Sequence, residues 1–404
     1  MFNYDFLSVY FYSVPNLRFS NPYKLRKVRL GDICTITGGY AFDSHKMKQQ
    51  GEYQIIKMGN LYNGIFDLSR NQSFINAPTK KELEYLIQKN DILITLTGTT
   101  NKKDYGYTVQ IEKPKKLLLN QRCALIRASK VNEKYLFYLL NSNDFLKQFY
   151  ASSTGGTGNQ TNVSINDMLD FKVYISNEND QLKISNILNA LDKKISTQIK
   201  IIDNLILQKK YIIYSLLEAI QDNEKIMLKD LLFDYNVKTT INNEYPALSS
   251  TASGMYLQTE YFNKEAASDN TTGYKIIPRG YCTYRSMSDT GLFTFNIQNL
   301  VEKGIVSPAY PVFSANNYSN EFIILYLNNA SYIKKQILEL KSGGTRFALP
   351  FSTLGTLKIP KLEKEKQLSF IKTITAFERK IKNEEKILND LHKQKNYLLN
   401  NMFI

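Results

Sequence analysis

The chain has 404 residues, 43% of them hydrophobic, which makes it too long for one ordinary core and too apolar for disorder. Its 52 Lys and Arg against 37 Asp and Glu leave a net charge of +15, a field that favours a polyanionic partner. No apolar run reaches membrane-spanning length, and three isolated cysteines (Cys34, Cys123, Cys282) argue for a reducing cytoplasm over a disulfide framework.

An AT-rich genome, with its many Lys codons, would give the same charge, so the elements along the chain have to identify the partner. Segment 1–26 is aromatic, but Asp5 and the lack of a basic lead spoil a signal-peptide reading. KVRLGDI (Lys27–Ile33) reads as a strand or turn entering a first domain, predicted over 27–180. Inside it YQIIKMGN, NDILITLTGT and QRCALIRAS are short β-type runs bounded by turn residues, and KYLFYLLNSNDFLKQFYASS reads as a helix. A Gly-Gly-Thr loop (Gly155–Thr161), a short strand and a Gln-Leu step then open a long helix, placed at 181–220. KIMLKDL (Lys225–Leu231) starts a second domain, 225–366, with GYKIIPRGYCTYR and LFTFNI as strands and EFIILYLNNASYIKKQILELKS as its helix. SGGTRFALPFSTLGTLKIP closes that domain, and a second long helix is predicted over 367–404.

The second half therefore repeats the first. With Gln181-Leu182 laid on Gln367-Leu368, Gln208 falls on Gln394 and Tyr211 on Tyr397. The first seam runs Leu188, Leu191, Ile195, Gln198, Ile202, Leu205, Lys209, Ile212, Leu216. The second runs Ile374, Phe377, Ile381, Glu384, Leu388, Leu391, Lys395, Leu398, Met402. Both keep a 3.5-residue period, the mark of a coiled-coil seam, and their polar interruptions fall at matching steps, which points to fixed register. At ~1.5 Å per residue each seam is about 43 Å long, a spacer. The predicted fold is α+β: two globular domains alternating with two long helices that pair as an antiparallel coiled coil, a pseudo-twofold internal repeat.

Catalytic apparatus is not legible. SNPYK (Ser20–Lys24) lacks the second proline of the methyltransferase Asn-Pro-Pro-Tyr loop, and GGTGNQT lacks the Gly-Lys-Ser/Thr ending of a phosphate-binding loop. The acid-x-Lys triplets Glu339-Leu340-Lys341 and Asp192-Lys193-Lys194 are expected by chance in a chain that is 22% charged. His45 and His392 stand far apart and no Cys pair has zinc spacing, so neither a His-dependent triad nor a metal site is expected. Polar and aromatic groups instead crowd the strand–loop regions, where Arg can pair with guanine and Asn or Gln with adenine. The candidate DNA-contacting residues are Tyr40, Lys57, Asn60, Tyr62, Thr97, Gln121, Arg122, Thr157, Asn159 and Gln160 in the first domain. In the second they are Ser250, Thr251, Tyr284, Arg285, Ser288, Asn316, Thr345 and Arg346. Residues 181–217 carry six Lys against two Asp, a face for phosphates or, preferably, for a partner protein.

In this order the blocks resemble the specificity subunit of type I restriction–modification enzymes over nearly the whole chain. The resemblance is carried by VPNLRF followed by KVRLGDI, by ITGGYAFDSHKMKQQGEYQIIKMGNL, and by LSSTASGMYLQTEYFNKEAASDNTTGYKIIPRGYCTYRSMSDTGLFTFNI with NLVEKGIVSPAYPVF. It implies two target-recognition domains that each read half of a split DNA site, and a chain that catalyses nothing itself. It further implies two modification subunits and added restriction/translocase subunits as partners, in the cytoplasm. S-adenosylmethionine, ATP and Mg are expected on those partners and no cofactor on this chain. The residues leave two alternatives open: a related type II system with a fused nuclease–methyltransferase, and a coiled-coil adaptor with no DNA role.

Overall fold

The computed structural model describes residues 25–155, 159–261, 270–340 and 347–403. The N-terminal segment before residue 25, residues 156–158 of the first Gly-Gly-Thr loop and 341–346 around the second, with Thr157, Thr345 and Arg346, lie outside the described residues. The chain divides into two compact units, one holding the residues up to Ile199 and from Ile387 on, the other Lys200–Lys386.

The first unit is built on a four-stranded antiparallel sheet in the order Cys34–Gly38, Cys123–Ala128, Ile92–Thr95, Thr108–Gln110. Strand alternation buries Ile92, Ile94, Ala124 and Ile126 in the main core and Leu93, Cys123 and Leu125 in a second cluster across the sheet. Two helices, Glu133–Leu139 and Asn143–Ala151, cover the main core through Tyr135, Tyr138, Phe145 and Phe149. The sequence reads as one helix here, but it breaks at Ser142, whose hydroxyl caps a new helix by accepting the Phe145 N–H. Strand Arg26–Arg29 pairs antiparallel with Lys172–Ile175 beside the start of the first long helix, Glu178–Glu218.

The second unit repeats this plan. Its four-stranded sheet has the order Leu232–Asp234, Val312–Ala315, Cys282–Tyr284, Phe295–Ile297, the same connectivity as in the first. Lys225–Met227 pairs with Lys358–Pro360, and the expected single helix is again two, Asn320–Asn329 and Ser331–Glu339, parted at Ala330 by an extended backbone (ψ 124°). The second long helix is Lys364–Met402.

Matching side chains lock both units. Gln181 accepts the Asn132 N–H (3.0 Å) and donates to the Ser176 carbonyl (2.8 Å). Gln367 accepts the Ser319 N–H (2.9 Å) and donates to the Leu362 carbonyl (2.8 Å). Both glutamines are buried, and each ties a long helix to the N-cap of a short one. Gln148 and Gln336 form a second such pair, each exchanging two hydrogen bonds with the backbone of Lys172 or Lys358.

Every apolar seam residue is buried or half-buried: Leu188, Leu191, Ile195, Ile202, Leu205, Ile374, Phe377, Ile381, Leu388 and Leu391. The first unit packs the beginning of one long helix with the end of the other, and the second packs the end of one with the beginning of the other, so the helices run antiparallel. The seam lysines answer one another. Lys395 meets Asp192 at 2.6 Å in the first unit and Lys209 meets Glu378 at 3.2 Å in the second. Such half-exposed pairs contribute ~0–1 kcal/mol each, so they set register more than stability. Among the described residues no helix is long and apolar enough to cross a membrane.

Candidate nucleic-acid interface

Antiparallel strands fix which turns share an end of a sheet. In the first unit Thr95 stands opposite Cys123, Ile94 opposite Thr108, and Gly38 opposite Ala124. The turns at Tyr40, Thr97, Tyr107 and Arg122 therefore lie at one end of the four-stranded sheet. From Leu96 the chain continues as Thr97–Thr99, which pairs with Gln160–Asn162, and the Thr97 hydroxyl donates to Asn162 Oδ1 at 3.0 Å. Close approach makes Gly98 obligatory there, because a Cβ would lie 2.3 Å from the Tyr105 ring. Asp104 accepts both the amide and hydroxyl of Thr99 at 2.7 Å, and these bonds hold its carboxyl below its ordinary pKa. Gln121, Arg122, Asn159 and Gln160 are exposed at this end.

The neighbouring turn Met58–Gly64 sorts three further candidates. Asn60 is fully buried; it accepts the Lys57 N–H and donates to the carbonyls of Asp67 and Arg70. Its amide is spent inside the fold, which corrects the expectation that it faces DNA. Lys57 is half-buried with its ammonium 2.6 Å from the Ser73 hydroxyl. Tyr62 remains 54% exposed, set edge-on to Tyr107 and beneath the Arg70 guanidinium. Tyr40 packs half-buried between Phe42 and Tyr85.

The same end of the second unit's sheet is an open cleft of about 490 Å³. Ser250, Thr251, Arg285, Ser288, Leu292 and Tyr310 line it. Asn296, not singled out from sequence, donates to the Ser250 hydroxyl (2.8 Å) and the Thr251 carbonyl (2.9 Å), fixing that wall. Ser288 accepts the Gly291 N–H at 3.1 Å in a tight turn. Arg285 is exposed. Its neighbour Tyr284 is fully buried, donates to the Leu349 carbonyl at 2.7 Å, and has its phenol pKa pushed up by burial. Tyr284 is thus a core residue, a second correction. Asn316 is exposed but follows Val312–Ala315 at the opposite end of the sheet, so the fold does not bring it to the cleft. Asn162, Asn296, Leu292 and Tyr310 carry no sequence signal that separates them from ordinary surface residues; only the pairing of distant strands finds them.

Residues 22–207 match the sequence model of a family described as the type I restriction modification DNA specificity domain. No curated protein matches the chain. Among solved structures it is similar to the S subunit of the type I restriction-modification system from M. genitalium, at 17% identity and a TM-score of 0.54, covering 97% of this chain and 99% of that one. It is also similar to a chain from a structural study of complex assembly and conformational transition of the type I R-M system. There the identity is 13% and the TM-score 0.56, with 94% and 98% covered. Residues 22–207 are thus similar to the type I restriction modification DNA specificity domain, and over 97% of its length the chain shares its fold with the M. genitalium S subunit.

Proposed function

We propose that this chain is the non-catalytic DNA-reading subunit of a type I restriction–modification complex, each unit reading one half of a split, asymmetric site. The observation that carries the reading is the repeated sheet end. Strand order and glutamine locks are the same in both units, while the solvent-reached groups at that end differ: Gln121, Arg122, Asn159 and Gln160 in one, Thr251, Arg285 and Ser288 in the other; Thr97 and Ser250 are buried, their hydroxyls bonded to Asn162 and Asn296. A shared frame with different surface chemistry fits two readers with two targets.

The frame also serves partners. Leu182 and Leu368 occupy matching positions and are 49% and 52% exposed; Tyr211 and Tyr397 match and are 71% and 56% exposed. Apolar groups left in water at equivalent points of a repeat fit two copies of one partner, here two modification subunits. Those subunits would carry S-adenosylmethionine, and ATP and Mg would belong to restriction/translocase subunits joining the core, all in the cytoplasm.

The test is the methylation pattern of a host genome expressing this chain with its modification subunit. A split motif with adenine methylated on both strands, absent without this chain, is the expected result. Unaltered methylation with both proteins folded and associated would overturn the proposal.

A further inference from the structure

We infer that Arg122 determines specificity in the first unit, reading the major-groove edge of one guanine from a backbone conformation that only that task explains; the inference rests on the DNA-reading proposal above. Arg122 sits at φ +72°, in the left-handed region that penalises any residue with a Cβ. Among the described residues seven non-glycines have positive φ; five are Asn, which tolerates it, and the others are Ala77 and Arg122. Among the described residues Arg122 is the one long charged side chain held this way.

The fold demands the conformation and does not need the side chain. The Arg122 carbonyl accepts the Leu96 N–H (2.9 Å), the Gln121 N–H donates to the Tyr40 carbonyl (2.9 Å), and the Asn120 N–H donates to the Ile56 carbonyl (3.0 Å). Gly39 presses on this turn so closely that a Cβ there would lie 2.0 Å from the Asn120 oxygen. A turn pinned by three neighbouring segments leaves little freedom to relax, and Gly or Asn would occupy position 122 with less strain.

The guanidinium, meanwhile, faces outward. Arg29, Arg70, Arg127 and Arg279 each meet a carboxylate of their own unit, at Asp170, Asp67, Asp91 and Glu302. Arg122 is exposed, and no acceptor among the described residues meets its guanidinium. It stands next to exposed Gln121, at the sheet end that carries Thr97 and Gln160. A planar five-donor fork on a rigid turn suits two acceptors at fixed spacing, as guanine O6 and N7 present. A phosphate would accept a flexible lysine as well and would not justify the strained backbone.

The test assembles the full chain with its modification subunit, as wild type and as Arg122→Gly, Arg122→Asn and Arg122→Lys, and selects from a pool of random-sequence duplexes. In the Gly and Asn variants Tm should hold or rise. Guanine preference at one position of one half-site should fall about 10- to 100-fold, every other position staying as in wild type. The Lys variant should keep overall affinity but only part of that preference. An unchanged motif in all three variants would overturn the inference. So would equal weakening on all sequences, the mark of a phosphate contact, or a lowered Tm in both Gly and Asn variants. A wild-type complex that selects no motif would defeat DNA reading itself, and the inference with it.

Discussion

Gln181 and Gln367, both buried, each commit both ends of a side-chain amide to the backbone. Truncating either leaves a half-buried N–H and a buried or half-buried carbonyl without their partners, a penalty of ~1–3 kcal/mol. Gln181→Ala and Gln367→Ala are therefore expected to lower unfolding free energy by similar amounts in urea titrations. Equality is the informative outcome, since it reports that the two copies are energetically alike. Tyr284 gives a contrasting case, because its hydroxyl bonds only to the Leu349 carbonyl inside the core. Tyr284→Phe should cost about 1 kcal/mol in stability and leave the methylated motif unchanged. A changed motif would return Tyr284 to the surface readers.

At the scale of elements, the seam was legible because burial on a long helix must recur every 3.5 residues, and Leu188, Leu191 and Ile195 or Ile374, Phe377 and Ile381 do so. The strands around Ile92–Thr95 and Cys123–Ala128 were legible from apolar runs between turn residues. Breaks at Ser142 and Ala330 were not, since the apolar pattern runs through them and a cap depends on one hydroxyl or one ψ angle. Asn60 and Tyr284 were misplaced for a related reason: a polar side chain reads alike in sequence whether it meets solvent or a carbonyl brought in by another strand. The helices also carry surface charge. Lys193 and Lys194 are both exposed, on the face where either phosphate or a partner subunit could be met. If the partner is met, Lys193→Ala with Lys194→Ala weakens assembly at unchanged DNA affinity, as co-sedimentation and filter binding would show. Equal loss on all DNA sequences would assign the pair to phosphates.

At the scale of the whole chain, the two long helices are, among the described residues, the elements that belong to both units, and their matched ion pairs Lys395–Asp192 and Lys209–Glu378 fix one register. Seven residues preserve the phase of a 3.5 seam, so a matched heptad inserted in both helices should keep folding and pairing. The added length, ~10 Å, corresponds to about three base pairs, and the unread interval of the methylated motif should grow by that much while both half-sites stay the same. Sequencing the methylated sites would read all three parts at once.

The first unit is also discontinuous in sequence. Leu398, Leu399, Met402 and Phe403 are buried in its core, and Phe403 lies against the ring of Tyr135. The second unit, Lys200–Lys386, is one unbroken stretch. On the ribosome, then, the domain synthesised first is finished last: its core stays open until the tail emerges, while the later domain can already have closed. A chain stopped after Lys386 should accordingly lose protection from protease in its amino-terminal half and keep it in Lys200–Lys386. A nonsense lesion within the codons of the second long helix would thus fall on the unit encoded first.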